Sequence, residues 1–177
     1  QKFSNGQSLT AESFKNSWEY GLSLPPMSAN SSLQDILYQV VGYEDFKTTK
    51  SLSGLRVVDN ETFEVEFKAS FRAALTNLAG SRMAAFVIEN GKFLGTGPYV
   101  IEETADKKLI LTANEFRDEN LPFREVIVEV IKPELAQEAL DSGRIDVYSL
   151  AEHAEFNNCL DNDSTTGCFA GNESRHI

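Results

Sequence analysis

The chain has 177 residues, enough for one domain or two small lobes, and a domain of about 150 residues buries roughly two-thirds of its unfolded surface. Lysine and arginine number 16 against 27 aspartate and glutamate, a net charge of −11 that argues against nucleic acid or an anionic membrane surface as partner. The apolar runs are short and interrupted, well below the roughly 20 residues needed to span a bilayer. Gln1-Lys2-Phe3-Ser4 lacks the apolar region of a signal peptide, so any export signal is expected outside this sequence.

Thr10 reads as the N-cap of a helix over residues 11–22, with Phe14, Trp18 and Leu22 on one face at i, i+4, i+8 spacing. Such a stripe is read as core, not as an aromatic ligand platform. Pro25-Pro26 breaks the chain, and Ser32 caps a second helix in which Leu33, Ile36, Leu37, Val40 and Val41 share a face. From Leu55 the period changes to two: residues 55–58 and 62–67 flank Asp59-Asn60-Glu61, and Phe63, Val65, Phe67 alternate with Glu64, Glu66, Lys68. This pattern predicts a half-buried antiparallel hairpin. Residues 71–79 read as a short helix with Leu75 and Leu78 inward and Gly80 as its C′ stop. Residues 83–88 are apolar enough for a strand, and Asn90-Gly91 signals a turn.

Gly95-Thr96-Gly97-Pro98-Tyr99 is the most distinctive run. Two glycines free the backbone and the proline then fixes φ, which suits a sharp turn into a strand from Tyr99, and a positive φ is expected at Gly95 or Gly97. Gly95, Gly97, Pro98 and Tyr99 are therefore assigned a structural turn. The run is not a phosphate loop, since neither the P-loop lysine nor the third glycine of a dinucleotide fingerprint follows. Residues 99–103 and 109–112, joined through Ala105-Asp106-Lys107, suit a second hairpin. The β-branched run 126–131, a helix over 134–141 stopped by Gly143, and a strand over 145–148 imply a parallel βαβ unit. Beyond Leu150 the composition turns polar, as expected of a loop or tail.

Chemistry-bearing constellations are few. His153 and His176 belong to no metal-ligand spacing, so no metal site and no cofactor are expected. Glu64/Glu66 and Glu102/Glu103 sit on the strand patterns, where solvated faces carry charge in any case, and no Gly-x-Ser-x-Gly elbow occurs. No catalytic residue is assigned.

Lys2-Phe3-Ser4-Asn5-Gly6-Gln7-Ser8-Leu9-Thr10-Ala11-Glu12, Ser17-Trp18, Ser53 to Asp59 with Thr62 to Val65, Gly95 to Tyr99, Leu111-Thr112-Ala113-Asn114 and Ser142 to Val147 occur in this order. Together they resemble the solute-binding proteins of bacterial ABC importers, family 5, the cluster for oligopeptides, dipeptides, nickel and haem. Asn5, Ser13, Ser70-Phe71 and Phe116-Arg117 depart from the family's usual residues. The resemblance implies an α+β (mixed α/β) fragment of a type II periplasmic-binding-protein clamshell, with a mixed sheet containing the βαβ unit. On this reading residues 1–90 form a small α+β lobe, 91–150 the sheet and βαβ part of the ligand-binding lobe, and 151–177 a polar loop or tail.

The implied function is the substrate-binding component of an ABC importer for peptides, a monomer that closes on solute and delivers it to membrane permease and ATPase subunits. The implied location is periplasmic, or the cell surface as a lipoprotein. Closure follows when a ligand contacts both lobes and so favours the closed state. The carboxylate that pairs with a peptide amino terminus in such proteins comes from the later lobe, which has no counterpart here, so the ligand-binding residues are unassigned. The alternative is an interaction module on the same scaffold, hinted at by Ser13, Ser70 and Arg117; an enzyme ranks third.

Cys159 and Cys168 are the only cysteines. In an exported protein they are disulfide candidates, and a loop of about ten residues would then contribute roughly 2.5–3 kcal/mol in the chain-entropy model; two free thiols are the alternative. Alkylation without reductant, read by mass spectrometry on protein from an oxidising compartment, is expected to leave both unlabelled. Two labelled thiols would refute the bridge.

Overall fold

The computed structural model describes residues 1–25, 31–70, 72–105, 107–117 and 120–148. Cys159, Cys168 and the polar tail lie outside the described residues. Packing divides the chain into two compact units, Gln1–Glu129 and Val130–Ile177, whereas a boundary at 90/91 falls in the turn of a hairpin.

Helix α1 (Ala11–Ser23) starts where local chemistry says it should. Thr10 has extended φ and ψ, its Oγ1 accepts the Ser13 N–H at 3.4 Å, and its own N–H donates to Ser13 Oγ at 3.2 Å. Ser13 thus takes the reciprocal position that Glu or Gln usually fills in a capping box. Helix α2 (Ser31–Leu37) is shorter than the apolar spacing predicts. After Leu37 the N–H groups of Gln39 and Val40 reach back to the carbonyls of Ile36 and Leu37, and Val40 then bridges to Phe67 instead of continuing the helix. A short α3 (Phe46–Thr49), which the sequence pattern did not announce, buries Phe46.

The core joins these helices to β1 (Leu55–Val57) and β2 (Phe63–Val65), an antiparallel pair. Trp18, Leu33, Leu37, Val40, Phe46, Leu52, Leu55 and Met83 are buried together. Phe63 packs edge-on to Trp18 at 5.2 Å between ring centroids and stacks on Phe14 at 6.2 Å. The indole N–H of Trp18 donates to the Met83 carbonyl at 2.9 Å, so its polar end is satisfied inside the core. Truncating such a residue to alanine costs about 3–5 kcal/mol. The β1–β2 turn closes as its sequence suggests: Asp59 Oδ1 accepts the N–H groups of Glu61 and Thr62, both at 2.8 Å.

Helix α4 (Ala74–Leu78) corrects two expectations. Leu78 packs on the core, but Leu75 is 83% exposed. Gly80 has φ −66°, so it is no left-handed stop; its extended backbone leads into a single 3-10 turn at Ser81–Met83. The strand expected over 83–88 shrinks to β3 (Val87–Glu89), which pairs antiparallel with an unanticipated β4 (Lys92–Leu94) across Asn90-Gly91. Strands β5 (Tyr99–Ala105), β6 (Lys108–Ala113) and β7 (Glu125–Glu129) form one antiparallel sheet in that order. Apolar side chains remain half exposed in it, including Ile101 and Val128 on one face and Ile127 on the other.

In the second unit, α5 (Pro133–Asp141) ends as expected at Gly143, φ 70°. Residues 145–148 do not form the expected strand, so among the described residues there is no βαβ unit and each sheet is antiparallel. The N–H groups of Arg144 and Ile145 both turn back to the Ala139 carbonyl, at 2.8 and 3.2 Å, and the Tyr148 hydroxyl reaches Gln137. The segment therefore folds onto its own helix end and leaves Val147 84% exposed. The mixed α+β class stands without the parallel crossover.

Lys68 ties the chain after α2 to the end of β2. Its Nζ donates to the Tyr38 carbonyl at 2.6 Å and to Glu44 Oε1 at 2.5 Å, and lies over the Tyr38 and Tyr43 rings at 4.4 and 5.4 Å from their centroids. The Lys68 hydrogen bond, with a smaller backbone contribution, holds the Glu44 carboxyl below its ordinary range. The resulting stabilisation is present above the unfolded-state pKa of glutamate and is lost as pH falls through the lower folded-state value. Replacing Lys68 with methionine is expected to move Glu44 back toward its ordinary pKa, read by NMR titration of its side-chain carboxyl. An unchanged midpoint would refute this coupling.

Candidate functional site

The distinctive Gly95–Tyr99 run lies in the first unit between β4 and β5, with bends at 96–98 and the strand starting at Tyr99. Three segments converge there: the N-terminal turn around residues 3–7, the run itself, and residues 114–117 after β6. Four successive carbonyls are each engaged. Gly95 O accepts from Ser4 N–H at 3.0 Å, Thr96 O from Arg117 Nη1 at 3.1 Å, Gly97 O from Asn114 Nδ2 at 2.8 Å, and Pro98 O from Asn114 N–H at 2.8 Å. Asn114 is 3% exposed, and its Oδ1 also accepts the Phe116 N–H at 3.0 Å. The Tyr99 hydroxyl donates to the Phe123 carbonyl at 3.0 Å. Losing the Asn114 amide would leave the part-buried Gly97 carbonyl and Phe116 N–H without these partners, at a cost below the about 1–3 kcal/mol of a fully buried group.

Gly95 and Gly97 do not have positive φ, which corrects the expected conformation; the glycines that do, among the described residues, are Gly6, Gly42, Gly91 and Gly143. A Cβ built on Gly95 or Gly97 meets no atom closer than 3.8 Å. The demanding glycine of the junction is Gly6, at φ 85°, where a Cβ would lie 2.9 Å from Phe116 Cε1. The Asn5-Gly6 dipeptide is the sequence signal for this position. Phe116-Arg117, seen in the sequence as departures, are the ring over Gly6 and the donor to Thr96.

A second feature is a cavity of about 230 Å³ lined by Ser17, Trp18, Leu33, Arg82, Phe86 and Phe93 among others. Ser17 Oγ accepts the Phe86 N–H at 2.8 Å and fixes its wall. Ordinary ligand sites measure about 300–1,000 Å³, so this cavity is small for a solute cleft. Among the described residues, the carboxyls held below their ordinary range are Glu44 and Asp59, both exposed and answering to local donors, Lys68 for the first and the Glu61 N–H for the second. Among the described residues no cluster of three or more His, Cys, Asp or Glu could hold a metal ion, and no helix is long and apolar enough to cross a membrane.

Residues 1–167 match the family described as bacterial extracellular solute-binding proteins, family 5 Middle, and the chain belongs to that family. Its fold is similar to that of the murein tripeptide-binding protein MppA in its unliganded open form, with TM-score 0.74 and 20% identity over 92% of this chain and 35% of that one. It is similar to Haemophilus influenzae OppA in complex with the peptide RPPGFSPFR, with TM-score 0.69 and 19% identity over 92% and 36% of the two chains. Campylobacter jejuni NikZ in complex with Ni(L-His) also matches, with TM-score 0.61 and 19% identity over 81% and 29%. The chain thus spans about a third of the length of these structures. No curated protein matches it.

If the junction is set by Gly6 and not by the glycines of the turn, Gly6→Ala is expected to cost about 1 kcal/mol or more. Gly95→Ala and Gly97→Ala should stay within roughly 0.5 kcal/mol. Urea unfolding midpoints measure the difference, and a larger loss at 95 or 97 than at 6 would overturn the assignment.

Proposed function

We propose that this chain is part of the substrate-binding component of an ABC importer for peptides. The whole protein captures solute between two lobes and presents it to the permease and ATPase subunits at the outer face of the membrane. The observation that carries the reading is the family match across residues 1–167. Its finer part, peptides instead of another solute, is supported by the peptide named with one structural relative and the murein tripeptide named with another, while nickel with histidine in a third marks the competing ligand class. We further propose an exported location, in the periplasm or on the cell surface as a lipoprotein, a monomeric state and no catalysis. The half-exposed apolar residues on both faces of β5–β6–β7 support the view that further chain covers this sheet in the whole protein. The interaction-module alternative keeps one of its three hints: Ser13 caps α1 and Arg117 braces Thr96, which gives two of the departures roles within the fold, whereas nothing in the structure explains Ser70.

A clamshell ligand draws its affinity from two surfaces at once, and only that double contact favours closure. The isolated chain is therefore expected to bind di- to pentapeptides no tighter than about millimolar, near −4 kcal/mol. Micromolar affinity by calorimetry would show that the decisive contacts lie within these residues.

A further inference from the structure

The sequence holds two Asn-Gly pairs, Asn5-Gly6 and Asn90-Gly91, and the fold treats them differently. An asparagine before glycine is intrinsically reactive because nothing on the glycine hinders its backbone nitrogen from reaching the asparagine Cγ. At Asn5 both reacting groups are engaged. Its Oδ1 accepts the Gln7 N–H at 3.1 Å, the Gly6 N–H donates to the Phe3 carbonyl at 2.9 Å, and a ring of Phe116 stands over Gly6. Asn90 and Gly91 form the two-residue loop between paired Glu89 and Lys92, with φ 50° and 77°. These values fit the Asn-Gly hairpin turn. Residues 89–93 are all exposed, and a Cβ at Gly91 would meet nothing within 4 Å.

We propose that Asn90 is a site of spontaneous covalent modification in this protein, converting through a succinimide to aspartate and isoaspartate. The Gly91 N–H loses its proton to hydroxide, and the nitrogen attacks Cγ of Asn90. A C–N bond forms, the Cγ–Nδ2 bond breaks, and ammonia leaves. Water then opens the ring: attack at Cγ gives aspartate, and attack at the main-chain carbonyl gives isoaspartate. The net change is one water consumed and one ammonia released, with no oxidant or cofactor. Either product adds a carboxylate beside Glu89. The isoaspartyl product also lengthens the main chain by one methylene inside a two-residue loop, which opposes the Ile88–Phe93 register. Phe93 packs against Phe86 and Tyr20 at ring-centroid distances of 5.2 and 6.1 Å, so the aromatic wall beside the Trp18 cavity loosens with it.

The test incubates the full chain at mildly alkaline pH, folded and in urea, followed by peptide mapping with fragmentation that separates aspartyl from isoaspartyl products. In the folded sample Asn90 is expected to convert while Asn5 persists; in urea both should convert at similar rates. Conversion of Asn5 as fast as Asn90 in the folded chain would overturn the proposal. So would conversion of Asn90 in the folded chain no faster than that of Asn60 or Asn114, which lack a following glycine.

Discussion

Asn114 is the constraint on which the larger unit depends. A part-exposed backbone turn that offers four carbonyls in succession to two neighbouring segments needs a donor wherever packing takes a carbonyl from water, because an unpaired one forfeits its hydrogen bonds. Asn114 supplies two of the four donors, one from its main chain and one from its amide, and Arg117 and Ser4 supply the others. The position must be buried to do this. A residue with only a donor or only an acceptor could not replace it, since its amide nitrogen serves Gly97 while its amide oxygen serves Phe116. The start of β5 and the end of β6 are thereby joined at Asn114, and the N-terminal turn is tied to the same run through the Ser4 N–H.

Legibility of the fold followed the range of the interactions. The α1 cap was readable from Thr10 because capping is settled within four residues, and the hairpins β1–β2 and β5–β6 from their period-two patterns and turn residues. The failures are non-local. Ile145-Asp146-Val147-Tyr148 alternates like a strand, yet alternation cannot provide a partner, and the Ala139 carbonyl captured the two N–H groups at its start. Helix α2 stopped early because Val40 found Phe67 across the core, a pairing invisible in a window of helical spacing. Strand β4 is three residues long and has too little pattern to announce itself.

The candidate site was half legible for a related reason. Composition marked Gly95 to Pro98 as a turn, and glycine's freedom then invited a left-handed reading. The backbone decides otherwise: Gly97 has no positive φ, and its carbonyl accepts from the Asn114 amide. The residue that needs glycine is Gly6, whose φ of 85° belongs to the loop that bonds Gly95 through Ser4. A motif can thus be informative about place and misleading about which atom carries the strain.

These features bear on the functional reading through where rigidity and exposure lie. The indole of Trp18 and the carbonyls of the Gly95–Pro98 turn are paired within the protein, while the Ser4 hydroxyl beside that turn is buried without a hydrogen-bond partner. The unsatisfied surface is apolar and belongs to the three-stranded sheet, where Ile101, Ile127 and Val128 are about half exposed. Exposed apolar residues on both faces of one sheet are unusual for a sheet that packs on one side and meets water on the other. A peptide site needs convergent polar groups to fix main-chain amides and termini. Among the described residues the polar groups around the Gly95–Tyr99 run converge on the protein's own backbone instead.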